Sequence, residues 1–260
     1  PLYNYSMRLS TTPKCLTNLQ FNARIAETQF EYPIRHQAET ALKDMPTPDD
    51  YREARRLALE TLKERDIKRC CHNAGVDLHR ISPTEQWVPI SYLGRTYRLH
   101  VTKDNIAFEQ ADTPLSLPDQ VLLLHYLSEA TGAPMESRWI TFREVPSGPF
   151  YYPSFVKRAI FPLVKTLAGR PEALTHVARQ LGRMETAPGD VALRVLSLPR
   201  VPVVLCLWEG DDEFPAEGNV YFDGSISSYL GTEDIAYIAG ATVYRVLEIA
   251  GKYRQSPGPA

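Results

Sequence analysis

Cysteine pairs suited to metal binding are missing from this sequence. Its four cysteines, Cys15, Cys70, Cys71 and Cys206, form no Cys-x-x-Cys pair. Structural zinc and iron–sulfur sites draw on such pairs, so we expect no iron–sulfur cluster on this chain. A metal site built from Cys70, Cys71 and His72 is the alternative, but adjacent helical side chains point about 100° apart and no second cluster supplies further ligands. Reduced thiols that pack in the core are the favoured interpretation.

Long basic runs and long apolar runs are also absent. The formal net charge is -2 and no basic run is longer than Arg55-Arg56, which argues against a nucleic-acid surface. No apolar run approaches the roughly 18 residues of a membrane span, and no basic region followed by an apolar core opens the sequence. We therefore expect a cytoplasmic protein with no nucleic-acid or membrane partner.

Motifs that are diagnostic of a particular reaction are missing as well. The sequence has no P-loop, no Gly-x-Gly-x-x-Gly and no Ser, His and Asp in a recognisable triad order. What it does have is 260 residues, of which 43% are hydrophobic and 23% charged. That composition can bury a core of one large domain with additions.

Predicted strands cluster between runs of predicted helices, which is typical of an α+β fold. We expect a mixed, mainly antiparallel sheet with helices packed on it. The chain then divides into an extended N-terminal arm (1–48), a single α+β domain (49–251) and a C-terminal tail (252–260). Thr232 caps a long final helix that is expected to end at Gly251.

The most apolar stretch, Val203 to Trp208, has no polar face and predicts a central strand that is covered on both sides. Asn219 to Asp223 alternates apolar and polar residues, as a half-buried partner strand does. Acidic side chains fill the loop between the two strands: Glu209, Asp211, Asp212, Glu213 and Glu217. Such a loop can supply oxygen ligands to Mg²⁺ or Ca²⁺, or it can be a solvated turn.

A second candidate region follows the predicted strand Trp139 to Val145, which carries Arg143 near its end. The Pro-Ser-Gly-Pro turn at 146–149 stops this strand. The aromatic residues at 150–152 then lead into a helix that is predicted to begin at Ser154. Strand ends beside such turns commonly carry binding residues.

Four stretches resemble the bacterial and archaeal family named domain of unknown function 3786. They are Leu93 to Leu99 (LGRTYRL), Leu122 to Leu127 (LLLHYL), Trp139 to Phe150 (WITFREVPSGPF) and, most specifically, Leu198 to Asp234. The similarity covers roughly residues 50 to 250. The resemblance implies no agreed activity, but it does imply a setting: members look typical of anaerobes, and some are joined to a cysteine-rich module like that of corrinoid iron–sulfur proteins. This chain lacks those cysteines, so any cluster belongs to a partner.

We therefore expect an accessory or binding protein of anaerobic metabolism. It binds a corrinoid or other tetrapyrrole, or it acts as a non-catalytic subunit of a metalloenzyme complex, with protein partners held by the arm and tail. The alternative is an enzyme that uses acid/base carboxylates of the Glu209 to Glu213 loop, with a divalent cation. Helical His125 is interpreted as a core histidine or as a polar group in a cofactor pocket. The residues assigned to ligand binding are Arg143, Glu144, Tyr151, Tyr152, Glu209, Asp212, Glu213 and Asp223.

Overall fold

Two antiparallel sheets and the helices that cover them make up the part of the chain that the structure describes. The structure is a computed structural model, and it describes residues 47–186 and 188–255. The helices, in chain order, are α1 (Pro48–Lys63), α2 (Ile67–Ala74), α3 (Leu117–Glu129), α4 (Gly148–Phe155), α5 (Phe161–Leu167), α6 (Pro171–Leu181) and α7 (Thr232–Gln255). The predicted α+β class is confirmed.

The strands form one sheet of four and one of five. The first has the order β1-β2-β3-β4, with β1 (His79–Ser82), β2 (Glu85–Tyr92), β3 (Arg95–Thr102) and β4 (Ile106–Phe108). The second has the order β5-β9-β8-β7-β6, with β5 (Trp139–Thr141), β6 (Gly182–Glu185), β7 (Val191–Leu198), β8 (Val201–Trp208) and β9 (Glu217–Asp223). We expected one mixed sheet; all the pairings described in both sheets are antiparallel.

Strand β8 lies in the middle of the five-stranded sheet, as its apolar sequence predicts. All residues from Val201 to Leu207 are buried, and Trp208 at the strand's end is partly exposed. Helix α7 packs against this strand and its neighbour β7. A strand without a polar face is stable only where both faces are covered, so its position in the sheet follows from its composition.

Local signals set several element ends where the sequence places them. Ser116 precedes α3 and its hydroxyl oxygen accepts the Asp119 backbone N–H at 3.3 Å. Gly75 ends α2 in the left-handed conformation, with φ of 69°, which favours glycine. Leu93 and Gly94 both have positive φ and join β2 to β3 in a tight hairpin turn.

The predicted strand at 139–145 is wrong beyond Thr141. After that residue the chain leaves the sheet as a 3-10 turn, Phe142–Glu144, in which Phe142 is fully buried. The following helix also begins earlier than predicted, at Gly148 instead of Ser154, so the aromatic residues 150–152 are helical. A π-helical turn, Val156–Ile160, then separates α4 from α5.

The last helix is longer than predicted, because α7 continues through Gly251 to Gln255. Four residues of the predicted tail are therefore helical. The predicted arm up to residue 46 and residues 256–260 lie outside the described residues. Within the described part of the chain, every helix is too short or too polar to cross a membrane.

Candidate functional site

The acidic loop between β8 and β9 is an ordered turn on the surface. One carboxylate oxygen of Asp211 accepts the backbone N–H groups of Glu213 at 2.8 Å and of Phe214 at 2.7 Å. These two hydrogen bonds, that of Phe214 foremost, lower the pKa of Asp211. The predicted ligands Glu209, Asp212 and Glu213 are exposed.

Nothing in the geometry of this loop gathers its carboxylates into a cation site. Across residues 47–186 and 188–255, no three His, Cys, Asp or Glu side chains converge as metal ligands would. The acid/base alternative on the Glu209 to Glu213 loop stays a prediction.

Two other predicted ligands, Glu144 and Asp223, stabilise turns by accepting hydrogen bonds. A Glu144 carboxylate oxygen accepts the Thr141 backbone N–H at 2.7 Å and its hydroxyl at 2.9 Å, which caps the 3-10 turn. Buried Asp223 accepts the backbone N–H groups of Glu136, Ser137 and Ser225, and also the Ser225 hydroxyl. Burial opposes ionisation of Asp223, but these hydrogen bonds outweigh it and lower its pKa.

The remaining three predicted ligands, Arg143, Tyr151 and Tyr152, lie in α4 or just before it and make two separate contacts. The Arg143 guanidinium lies over the Tyr152 ring, 3.6 Å from the ring centroid. Tyr151 meets Phe150 edge to face, with centroids 5.1 Å apart, and Phe150 is 81% exposed. We call Arg143, Phe150, Tyr151 and Tyr152 the aromatic–arginine face. It combines stacking surface with a positive charge.

The antiparallel pairing of β5 with β9 shows how the aromatic–arginine face and the acidic loop are connected through the sheet. Strand β5, which leads into the face, pairs with Tyr221 to Asp223 at the C-terminal end of β9. The loop enters β9 at Glu217, opposite Trp208. The four residue steps from Tyr221 to Glu217 span ~13 Å at about 3.3 Å per step. Of the eight predicted ligands, Arg143 and Tyr152 are in direct contact.

A polar pair between α3 and α7 is the feature that sequence reasoning missed. Nδ1 of His125 lies 2.9 Å from a carboxylate oxygen of Asp234, in the first turn of α7. The two side chains are only 29% and 18% exposed. The hydrogen bond to Asp234 is the main cause of a raised pKa for His125.

A second carboxylate, that of Asp119, also links α3 to α7. Asp119 of α3 accepts the Tyr92 phenol at 2.6 Å and the Tyr237 phenol at 2.9 Å on one oxygen, and the Ser116 hydroxyl at 2.6 Å on the other. Burial, with the charge of Asp119, raises the pKa of both tyrosines. This cluster ties α3, α7 and the end of β2 together.

The cysteines that the structure describes are buried thiols. Cys70, Cys71 and Cys206 form no disulfide, and burial raises the pKa of Cys71 to about 12. At neutral pH that thiol is protonated, as an inert packing residue would be.

An open cavity of about 250 Å³ lies near the start of α3, lined by Arg55, Phe108, Leu115 and Gln120 among others. Drug-sized ligands generally occupy larger cavities, of roughly 300 Å³ or more. Arg55 also donates a hydrogen bond to Gln120 across this cavity, at 2.6 Å. The cavity is smaller than a tetrapyrrole pocket requires.

A family profile described as "Domain of unknown function (DUF3786)" matches residues 66–245. The chain belongs to the DUF3786 family. A search of curated proteins found no match, and a search of solved structures found none.

The DUF3786 match contains both the aromatic–arginine face and the His125–Asp234 pair. In this DUF3786 protein the pair joins residues that are 109 positions apart. Each had a local explanation in the sequence: an apolar helix around His125, and a favourable helix dipole for Asp234. A polar residue in an otherwise apolar helix was the available signal, because a half-buried histidine needs a hydrogen-bond partner.

Proposed function

We propose that this DUF3786 protein binds a flat, carboxylate-bearing ligand of the tetrapyrrole class, a corrinoid foremost, on the aromatic–arginine face. In this proposal it is a cytoplasmic accessory protein of anaerobic metabolism. The corrinoid and anaerobic parts come from the family resemblance. The structure contributes the surface on which such a ligand would lie.

One observation carries the proposal: the Arg143 guanidinium lies 3.6 Å from the Tyr152 ring centroid, and Phe150, two residues before Tyr152 in the same helix, is 81% exposed. An exposed large aromatic side chain leaves apolar area in water, which a flat ligand can cover. The Arg143 guanidinium can donate hydrogen bonds to a peripheral carboxylate of the same ligand. A tetrapyrrole with acidic side chains has both features.

The ligand would lie on an open face rather than in a closed pocket. The backbone under that face is firmly held, because Phe142 stacks on Phe155 with centroids 4.3 Å apart and both rings are fully buried. The Thr232 hydroxyl also donates to the Pro146 carbonyl at 2.6 Å, which ties the turn before α4 to the start of α7. A rigid platform reduces the ordering cost of binding.

Titration of the purified full chain with haemin and with hydroxocobalamin tests the proposal. We expect a saturable shift of the visible absorption band with at least one of them. Phe150→Ala and Arg143→Gln should each weaken binding about tenfold, which corresponds to about 1.4 kcal/mol of lost contact. Phe214→Ala is the matched control, since Phe214 is 60% exposed but lies in the acidic loop.

Two results would overturn the proposal. One is the absence of saturable binding with both tetrapyrroles. The other is an equal loss of affinity in Phe214→Ala and Phe150→Ala, which would mean that these tetrapyrroles bind to any exposed aromatic side chain.

A further inference from the structure

A row of basic and aromatic side chains lies on the outer side of the helical segment 148–167. The inner side of this segment is marked by four fully buried residues, Phe155, Ala159, Leu163 and Leu167. Lys157, Phe161 and Lys165 each stand two positions after a buried residue, about 200° around an α-helix, and all three are exposed. Arg158, next to Lys157, is exposed as well. We call Lys157, Arg158, Phe161 and Lys165 the basic stripe.

Pro162 shapes the backbone under the basic stripe. It has no N–H to donate to the Arg158 carbonyl, and the helix widens before it into the π-helical turn Val156–Ile160. Helix α7 packs on this turn. Gly240 of α7 allows a close approach, since a Cβ added there would lie 3.3 Å from the Arg158 carbonyl oxygen. The stripe therefore rests on a helix that is supported from its inner side.

The three cations of the basic stripe make no ion pair with any residue that the structure describes. The sequence explains this, because it has no Asp or Glu at 145–171, nor at 235–247 of α7. Glu217 of β9 is adjacent to Gly218, which faces Val164 of α5, yet Glu217 does not come within ion-pair distance of the stripe. Positive charge is therefore left at this surface for an anionic group from outside.

Helix α1 shows the contrast. Its exposed Arg52 and Arg56 pair with carboxylates three or four positions away in the same helix. Such pairs are the usual way in which charges on an exposed helix face are balanced. The basic stripe lacks this balance, although the whole chain has a formal net charge of -2.

Phe161 adds apolar area to the charge of the stripe. The residue is 56% exposed, and Nζ of Lys165 lies 5.5 Å from the centroid of its ring. From Lys157 to Lys165 the stripe spans ~12 Å, at about 1.5 Å per residue, which is the length of about two helical turns. A ligand that matches this surface carries carboxylates on both sides of an apolar group.

We propose that the basic stripe is the docking site for an acidic segment of a partner protein. Carboxylates of that segment pair with Lys157, Arg158 and Lys165, and an apolar side chain covers the Phe161 ring. An anionic membrane is the other surface with this chemistry. A membrane would also face the protein around the stripe, and the net charge of -2 gives the whole chain no attraction to it. A single segment meets the stripe alone.

Fluorescence anisotropy with a labelled peptide tests the chemistry of the partner. The probe carries glutamate and leucine at helical spacing, and its control carries glutamine in place of each glutamate. We expect the full chain to bind the glutamate peptide saturably, and more weakly as salt rises from about 0.05 M to about 0.5 M, because the Debye length shrinks. No saturable binding, or equal binding of the glutamine peptide, would overturn the proposal.

Two double variants test the location. Lys157→Gln with Lys165→Gln should weaken binding of the glutamate peptide about fivefold, as the loss of two exposed charge contacts predicts. Lys63→Gln with Lys68→Gln removes two exposed lysines of α1 and α2 and is the matched control, which should leave binding unchanged. Since all four side chains are exposed, both variants should melt at the temperature of the native chain. Equal weakening in the control would contradict the assignment to the stripe.

Sedimentation with vesicles of phosphatidylglycerol and phosphatidylcholine tests the membrane alternative. We expect the full chain to stay in the supernatant. Pelleting that Lys157→Gln with Lys165→Gln abolishes would overturn the choice of a protein partner. The inference does not depend on tetrapyrrole binding, because the stripe shares no residue with the aromatic–arginine face. Phe150→Ala should therefore leave peptide binding unchanged, and the two proposals can fail separately.

Discussion

The hydrogen bond between His125 and Asp234 makes the free energy of unfolding depend on pH. The pKa of His125 in the folded protein is raised above the ordinary value of 6.5, chiefly by the hydrogen bond to Asp234. Folding then favours the protonated ring. The stabilisation is fully present below pH 6.5 and is lost as pH rises through the folded pKa.

Replacing Asp234 by Asn tests this dependence. Between pH 5 and 6, where His125 is charged, we expect the variant to lose about 1–2 kcal/mol of unfolding free energy, as charge-assisted hydrogen bonds contribute. The difference should shrink as pH rises towards 9. Urea unfolding across this range measures it, and a difference that is constant with pH would contradict the linkage.

The Asp119 cluster makes a second prediction for single residues. In the native protein the Tyr92 and Tyr237 phenols donate hydrogen bonds to Asp119, at 2.6 and 2.9 Å. Asp119→Ala removes this shared acceptor. We expect a loss of about 3 kcal/mol, because unsatisfied buried donors carry the full cost of desolvation. Tyr237→Phe removes one donor and leaves the acceptor in use, so it should cost about 1 kcal/mol. Thermal unfolding compares the two, and equal losses would argue against a shared acceptor.

For whole elements, the sequence predicted best where local chemistry decides. The apolar run of β8 forms a buried central strand as expected, and local signals of the same kind, Ser116 and Gly75, mark the start of α3 and the end of α2. The strand at 139–145 failed because Glu144 reaches back to cap Thr141, at 2.7 Å, and Phe142 is drawn into the core. A capping carboxylate and a buried ring outweigh strand propensity over so few residues.

Gly251 separates the predicted end of the last helix from the observed one. If the helix continues through this residue, Gly251→Ala removes a flexible glycine from a helical position and should stabilise the protein by about 0.5–1 kcal/mol. A Cβ there would meet no atom within 4 Å. Gly75→Ala is the control: Gly75 has φ of 69° at a true helix end, so this change should destabilise. Destabilisation by both changes in thermal melts would restore the predicted end at Gly251.

At the scale of the whole molecule, the sequence did not predict the contacts between distant residues. It predicted the separate elements of the candidate region but not that β5 pairs antiparallel with β9, with Trp139 opposite Asp223 and Thr141 opposite Tyr221. Likewise it explained His125 and Asp234 one at a time. Pairing across the chain depends on how sheets and helices are stacked, and a single sequence carries little information on that.

The boundary of the folded unit gives the last prediction. The family match begins at residue 66, after α1, but α1 packs on α3 and buries Ala58 and Leu62. Both described sheets and the helices that cover them come from residues after 47. A chain that begins at Pro48 should therefore unfold cooperatively in urea.

A chain that begins at Asp66 should be weaker by several kcal/mol, since it uncovers the face of α3 on which α1 packs and removes buried Leu62, and loss of a buried leucine side chain costs about 2–5 kcal/mol. Urea midpoints of the two truncated chains decide the matter. Equal midpoints would place α1 outside the folded unit.

The predicted role of residues 1–48 in holding a partner is tested on the chain that begins at Pro48. This chain should stay folded, because its core is complete, but it should no longer co-purify with a partner subunit.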